Sequence, residues 1–359
     1  MFGSNLERRT RLRLARAATG LLLFGAIAGG GSAILVNASG IQSSAVKIDS
    51  AVAKELVPDT FVDVETGDEV ETYLLVGSDT REGADPNSPD YGGIGPQADN
   101  EVRRSDTIMI LRHEKSTGRT ALLSLPRDLY VKVDGKQARI NTAYSKGTDV
   151  LVSTIKQDLG IQINHYVEID FNGFKALVDA VGGVEACFWF PTRDQNTGLN
   201  APRGGCFKLN GTQALQYARS RHFEEFRDGA WHEDPRSDLG RIARQQQFII
   251  EAVSDADAAL QANPYLFDDL FKVASMAVRL DPDLELLSVA HRFRGLKPGA
   301  MLAYTLPTTP TKVGDDEVLL LDQAKAGPML DFFRGTGAAP PPGETEYAAM
   351  TAENGTAGG

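Results

Sequence analysis

The residues of this chain best suited to chemistry are arginines paired with aspartates beside short apolar runs. Arg104 and Asp106 precede the run Thr107 to Leu111, Arg127 and Asp128 follow the run Thr120 to Leu125, and Asp79 and Arg81 follow TYLLVG at 72–77. Arg219 and Arg221, then Arg241, Arg244, Gln245 and Gln246, add donors from two later segments. A guanidinium fork gives phosphate two parallel hydrogen bonds and stays charged when desolvated. A diphosphate carries more charge than arginines alone usually neutralise, and Mg2+ held by one or two carboxylates plus phosphate oxygens is the common supplement. Asp79 and Asp106 are the natural ligands, each at a strand end beside an arginine. Any one pair alone is more often a surface salt bridge, and the helix dipole favours an arginine such as Arg219 with no ligand present. The reading therefore rests on convergence.

Convergence requires elements that bring the pairs together. The two runs at 107–111 and 120–125 have strand composition, and His113 to Gly118 between them has turn composition. Paired as a hairpin, the first strand begins where the second ends, so Arg104 and Asp106 meet Arg127 and Asp128 at one sheet edge. Tyr130 to Val133 leads into a DGK turn. A helix is predicted over 148–160, with Thr148 as N-cap and Gly160 as its stop. Residues 163–170 alternate like a strand, and Asn172 is expected to cap the helix that Gly182-Gly183 ends. After the apolar run Cys187 to Phe190, a loop returns to Cys206. Asn210 should cap a helix over 209–221 that carries Arg219 and Arg221 at its end. The 222–236 segment reads as a loop rich in charge and glycine. SDLGRIARQQQFIIEAV, from 237, is the best-formed helix, and on it Arg241 and Gln245 share a face that Phe248 continues. That face, polar then apolar, suits an amphipathic ligand. Helices over 264–280 and 283–293 and a strand at 301–307 follow, an α/β pattern.

The net charge of −11 argues against a general nucleic-acid binder, which is usually basic. Charge is unevenly spread: residues 1–16 hold five arginines and one glutamate, leaving −15 for the rest. Residues 17–36 carry no charge, about the ~20 residues that cross a bilayer. The basic arm stays cytoplasmic by the positive-inside rule, which sends the remainder outside. A signal peptide is the competing reading, kept open by the glycines at 29–31. The divisions expected are a basic arm at 1–16, a transmembrane helix at 17–36, and a stalk and lead-in at 37–70. A domain at 71–334 and a tail at 335–359 too poor in apolar residues to fold complete them. Cys187 and Cys206, both beyond the anchor, suggest a disulfide in an oxidising compartment, against the alternative of two separate buried thiols. His113, His165, His222, His232 and His291 show no metal or triad spacing and read as structural or solvent-facing.

GSDTR at 77–81, RSDT at 104–107, SLPRD at 124–128, RINTAY at 139–144, YARSR at 217–221 and DLGRIARQQ at 238–246 resemble, in order and spacing, the LytR-CpsA-Psr family. The resemblance covers about residues 72–255. It implies a central mixed β-sheet with helices on both faces, outside the cell and tethered by one N-terminal membrane helix. It implies a phosphotransferase that moves a glycopolymer from a polyprenyl-diphosphate carrier onto peptidoglycan, with part of the helical layer housing the lipid. It makes Asp79 and Asp106 the carboxylates for Mg2+ (or Mn2+). Arg81, Arg104, Arg127, Arg219 and Arg221 become the diphosphate clamp, with Arg241 and Gln246 completing it and Asp128, Arg244 and Gln245 on the donor side. Asp79 is also a candidate base. A hydrolase acting with water on the same donor, or a non-catalytic lipid-glycan binding or regulatory protein, are the rival readings. The Arg227–Pro235 insertion and the cysteine pair look similar to actinobacterial members.

Overall fold

The computed structural model describes residues 46–80, 104–293, 296 and 301–341. The basic arm, the 17–36 segment, Arg81 and the 82–100 loop lie outside them.

Eight strands form one mixed sheet. Glu69–Ser78 lies near its middle, antiparallel to Ser105–Glu114 and parallel to His165–Ile169. Ser105–Glu114 continues antiparallel to Thr120–Leu125, with Ile108 opposite Leu125, which is the hairpin the two apolar runs required. Leu302–Thr305, Val278–Leu280, Val46–Lys47 and Phe61–Val62 complete it.

Successive side chains of a strand point to opposite faces, and here both faces are covered. Tyr73, Met109, Leu111 and Leu122 join one core with helices Phe171–Ala180, Asp238–Ala262 and Leu266–Ala277. Leu74, Ile108, Ile110 and Leu123 join the other with Ile140–Lys146, Thr148–Thr154 and Gln323–Arg334. Burial on both faces is why TYLLV and IMIL read as unbroken apolar runs rather than as alternating ones. The expected mixed sheet with helices on both faces is present.

Several local expectations change. Asp170, not Asn172, caps Phe171–Ala180: its carboxylate accepts from the Gly173 N–H at 2.8 Å. Gly147 occupies the N-cap position assigned to Thr148, and Ile155–Leu159 widen into a π-helical turn before Gly160, whose φ is 68°. The loop expected between the cysteines contains a hairpin, Thr192–Asp194 with Leu199–Ala201. The loop expected at 222–236 is another, Glu224–Arg227 with Ala230–Glu233. The helix read over 264–280 stops at Ala277, and Val278–Leu280 pairs with His165–Ile169 instead. Sheet pairing there outweighs helical spacing. Residues before 71 and after 334 also pack: Asn164 Nδ2 donates to the Val57 and Asp59 carbonyls, and the Tyr304 hydroxyl donates to the Pro340 carbonyl.

Cys187 and Cys206 face each other across the antiparallel strands Val184–Phe188 and Gly205–Leu209 and form a disulfide. The reading of two separate thiols is therefore set aside.

Candidate active site

One end of the sheet gathers Ser78, Asp106, Leu125 and Ile169 at strand termini, and the cleft lies beyond them. The hairpin brings Arg127 Nη1 to 2.6 Å from Asp106 Oδ1. Helix Gly211–Arg219 begins with Asn210 and Gln213 satisfying each other's main-chain N–H groups, a reciprocal cap that fixes its start and therefore its end. Just past that end, Arg221 Nη2 also donates to Asp106 Oδ1, at 2.9 Å. Arg241, one turn into Asp238–Ala262, donates to the Asp106 carbonyl at 3.0 Å and lies 2.9 Å from Asp238. Asp79 Oδ1 accepts from the Arg104 N–H at 2.8 Å. The Arg219 guanidinium lies 4.6 Å from the Phe171 ring centre, a cation–π contact. Arg81 falls outside the described residues.

Burial pushes the Asp106 carboxyl up, but the guanidinium groups of Arg241, Arg221 and Arg127 together hold it below the usual carboxylate range. Burial pushes Arg241 down to about 10, which leaves it charged at any working pH. Arg104, Arg127, Arg219 and Arg221 line the cleft with Asp79, Asp106 and Asp194, while Asp128 and Asp238 pair with Arg127, Arg221 and Arg241 at its edge. Among the described residues, four arginines thus line the cleft against three aspartates.

The remaining candidates sit behind the cleft, except Gln245, which lines the apolar cavity. Asp128 pairs with Arg127 at 3.3 Å and with Arg139 at 3.7 Å. Arg244 donates to Asp234 at 2.8 Å and to the Ser220 carbonyl at 2.7 Å, holding the turn that carries Arg219 and Arg221. Gln245 donates to the Ala218 carbonyl, and Gln246 to Ser124 and to the Tyr304 carbonyl. Asp128, Arg244 and Gln246 line neither cavity described next, so the geometry gives them positioning roles rather than ligand contact.

Two cavities meet here. One, of about 1020 Å³ including its open mouth, is walled by apolar side chains such as Leu75, Met109, Phe174, Leu215, Phe248 and Ile249. The other, of about 830 Å³, is polar and holds Asp79, Arg104, Arg127 and Arg221. Asp106, Phe171 and Arg219 line both. An elongated ligand with a greasy end and an anionic middle fits that succession.

Sequence reasoning missed Asp238, whose spacing of three from Arg241 on one helix face was the available signal. It also missed Asp194, Asn196, Thr197 and His222 on the cleft's rim, which no motif marks.

The profile of the LytR_cpsA_psr family matches residues 35–331. The chain belongs to the LytR-CpsA-Psr family. Its curated relatives include the probable cell wall biosynthesis protein LcpB of Corynebacterium glutamicum, 38% identical over 186 residues, which are 51% of this chain and 41% of LcpB. Another is the polyisoprenyl-teichoic acid–peptidoglycan teichoic acid transferase TagU of Bacillus mycoides, 35% identical over 44% of this chain and 49% of TagU. The chain thus aligns with about half the length of these relatives. Among solved structures, the LytR-Csp2A-Psr enzyme from Actinomyces oris superposes with a TM-score of 0.60 at 26% identity, covering 80% of this chain and 95% of that one. The LytR-CpsA-Psr motifs at 104–107, 124–128, 217–221 and 238–246 are the segments that surround Asp106 in space.

Proposed function

We propose that this protein is a membrane-anchored phosphotransferase acting outside the cell, moving a glycopolymer from a polyprenyl-diphosphate carrier onto peptidoglycan. The observation that carries the proposal is the junction of the two cavities at Asp106, Phe171 and Arg219. Lipid would occupy the apolar cavity and the diphosphate the arginine cleft, with sugar beyond the rim. The naming of TagU as a teichoic acid transferase and of LcpB as a cell wall biosynthesis protein supports the same reading. The basic arm and the uncharged 17–36 segment support the anchor, which would keep the enzyme in the bilayer that holds its donor.

Phosphoryl transfer depends mainly on positioning and on stabilising charge at the phosphorus. Arg127 and Arg221, now resting on Asp106, would turn to the diphosphate oxygens, while buried Arg241 keeps the Asp106 main chain in place. Arg104 and Arg219 would bind from the two sides of the cleft.

Asp79 and Asp106 are hard oxygen donors in one cleft, a donor set that fits Mg2+ (Mn2+ is the alternative). Bound there, Mg2+ would neutralise charge on the phosphate oxygens. Among the described residues, Glu185, Cys187 and Cys206 also cluster, but the disulfide occupies both sulfurs.

The test is release of polyprenyl phosphate from a radiolabelled donor by the full-length protein, with and without peptidoglycan fragments, and with EDTA. Label moving to the fragments, lost on chelation, is the expected result. Release only to water would favour a hydrolase, and binding with no release would leave a lipid-glycan binder.

A further inference from the structure

An acceptor hydroxyl must lose a proton as it attacks, and the two carboxylates named above are poorly placed to take it. Asp106 is gripped by guanidinium groups that disfavour its protonation, and a carboxylate on a metal is a weak base. His222 lines the same cleft. Its Nδ1 lies 2.7 Å from Glu233 Oε1. Its main-chain N–H donates to Asp194 Oδ2 at 3.1 Å, and the same buried oxygen accepts from the Ser220 hydroxyl at 2.7 Å. That anchor fixes the chain between Arg221 and the hairpin. Glu233 ends the strand Ala230–Glu233, opposite Glu224, so the hairpin sets the height at which the carboxylate meets the ring.

A carboxylate against Nδ1 holds the proton on that nitrogen and leaves Nε2 as the acceptor. The charged groups that line the cleft with His222 are Arg104, Arg127, Arg219 and Arg221 and the acids Asp79, Asp106 and Asp194, and Glu233 is the carboxylate against its Nδ1. As an ion pair on a solvated surface, His222 and Glu233 would need no such neighbours. Its place on the rim of an arginine cleft is what singles it out.

We propose that His222 is the general base for the acceptor hydroxyl and Glu233 its positioning residue, an inference that rests on the transferase reading above. The hydroxyl proton passes to His222 Nε2 while its oxygen bonds to the sugar-side phosphorus. The bond from that phosphorus to the bridging oxygen breaks, and its electron pair leaves with polyprenyl phosphate. The imidazolium, 59% exposed, returns its proton to water. Glu233 stabilises the imidazolium in the interval.

The experiment uses the full-length protein in detergent, farnesyl-diphosphate-linked N-acetylglucosamine as donor, Mg2+, and a peptidoglycan disaccharide as acceptor, reading farnesyl phosphate. His222→Gln should lower kcat at least about a hundredfold, the low side of what general bases contribute, with donor KM within about twofold. Added imidazole should restore part of the rate of His222→Gly. Glu233→Gln should reduce kcat with donor KM within about twofold, a split that a merely structural pair would not give. His222→Gln with an undiminished kcat, or no rescue of a His222→Gly protein that melts like the unsubstituted one, overturns the assignment. Loss in Arg127→Ala with full activity in His222→Gln would remove this inference alone. No farnesyl phosphate from the unsubstituted protein would remove the transferase reading and this inference with it.

Discussion

Arg127 Nη1 sits 2.6 Å from Asp106 Oδ1, between residues 21 apart that a hairpin returns to the same sheet edge. The contact is partly open to solvent, so Arg127 can be truncated without emptying a core. Arg127→Ala is expected to fold normally and to lose at least about tenfold in turnover, roughly 1.4 kcal/mol of transition-state stabilisation. Steady-state kinetics with a matched thermal melt check both halves.

Ile249 is only half-buried on its helix, yet it lines the apolar cavity. Ile249→Trp would fill the lumen. The KM for a long-chain donor should rise about tenfold, or roughly 1.4 kcal/mol, with little change for a farnesyl donor. Equal KM values for the two chain lengths would remove lipid from this cavity.

The disulfide closes a segment with a sequence separation of 19. On the chain-entropy model a loop of that size is worth about 3 kcal/mol. Cys187→Ser with Cys206→Ser should lower the melting temperature by roughly 6–12 °C. Reductant should do the same to the unsubstituted protein and nothing further to the double variant.

Asp106 has a folded-state pKa depressed below the ordinary carboxylate value of about 3.9. On acidification the unfolded chain therefore binds the proton first. The stabilisation is complete above about pH 4 and is lost as pH falls through the folded value. Urea midpoints measured down the pH scale should show a shallower acid fall in Asp106→Asn than in the unsubstituted protein. Parallel curves would mean that the carboxylate contributes nothing to acid stability.

How much was legible depended on distance along the chain. The 105–125 hairpin could be read because its strands, its turn and both charged pairs are contiguous. The 224–233 hairpin could also have been read: Asp228-Gly229, with φ of 51° and 80°, supplies the left-handed pair that two-residue turns require. The weight of charged residues there obscured it. Asp170 lost the cap to Asn172 on paper because both are good capping residues, and only the end of the His165–Ile169 strand decides between them. Arg244, Gln245 and Gln246 share a motif with Arg241, yet successive helical positions point a hundred degrees apart, so Arg241 and Gln245 share the face that lines the apolar cavity while Arg244 and Gln246 brace from behind. The apolar cavity had no linear signature, since its walls come from strands and helices from Leu75 to Val278.

Because Asp106, Phe171 and Arg219 face oil on one side and water on the other, the scissile bond of the proposed donor would straddle a phase boundary. After cleavage the two halves have opposite solubilities and opposite exits. The spent carrier could slip back toward the bilayer while the sugar chain stays in the wall, and neither would have to pass the other.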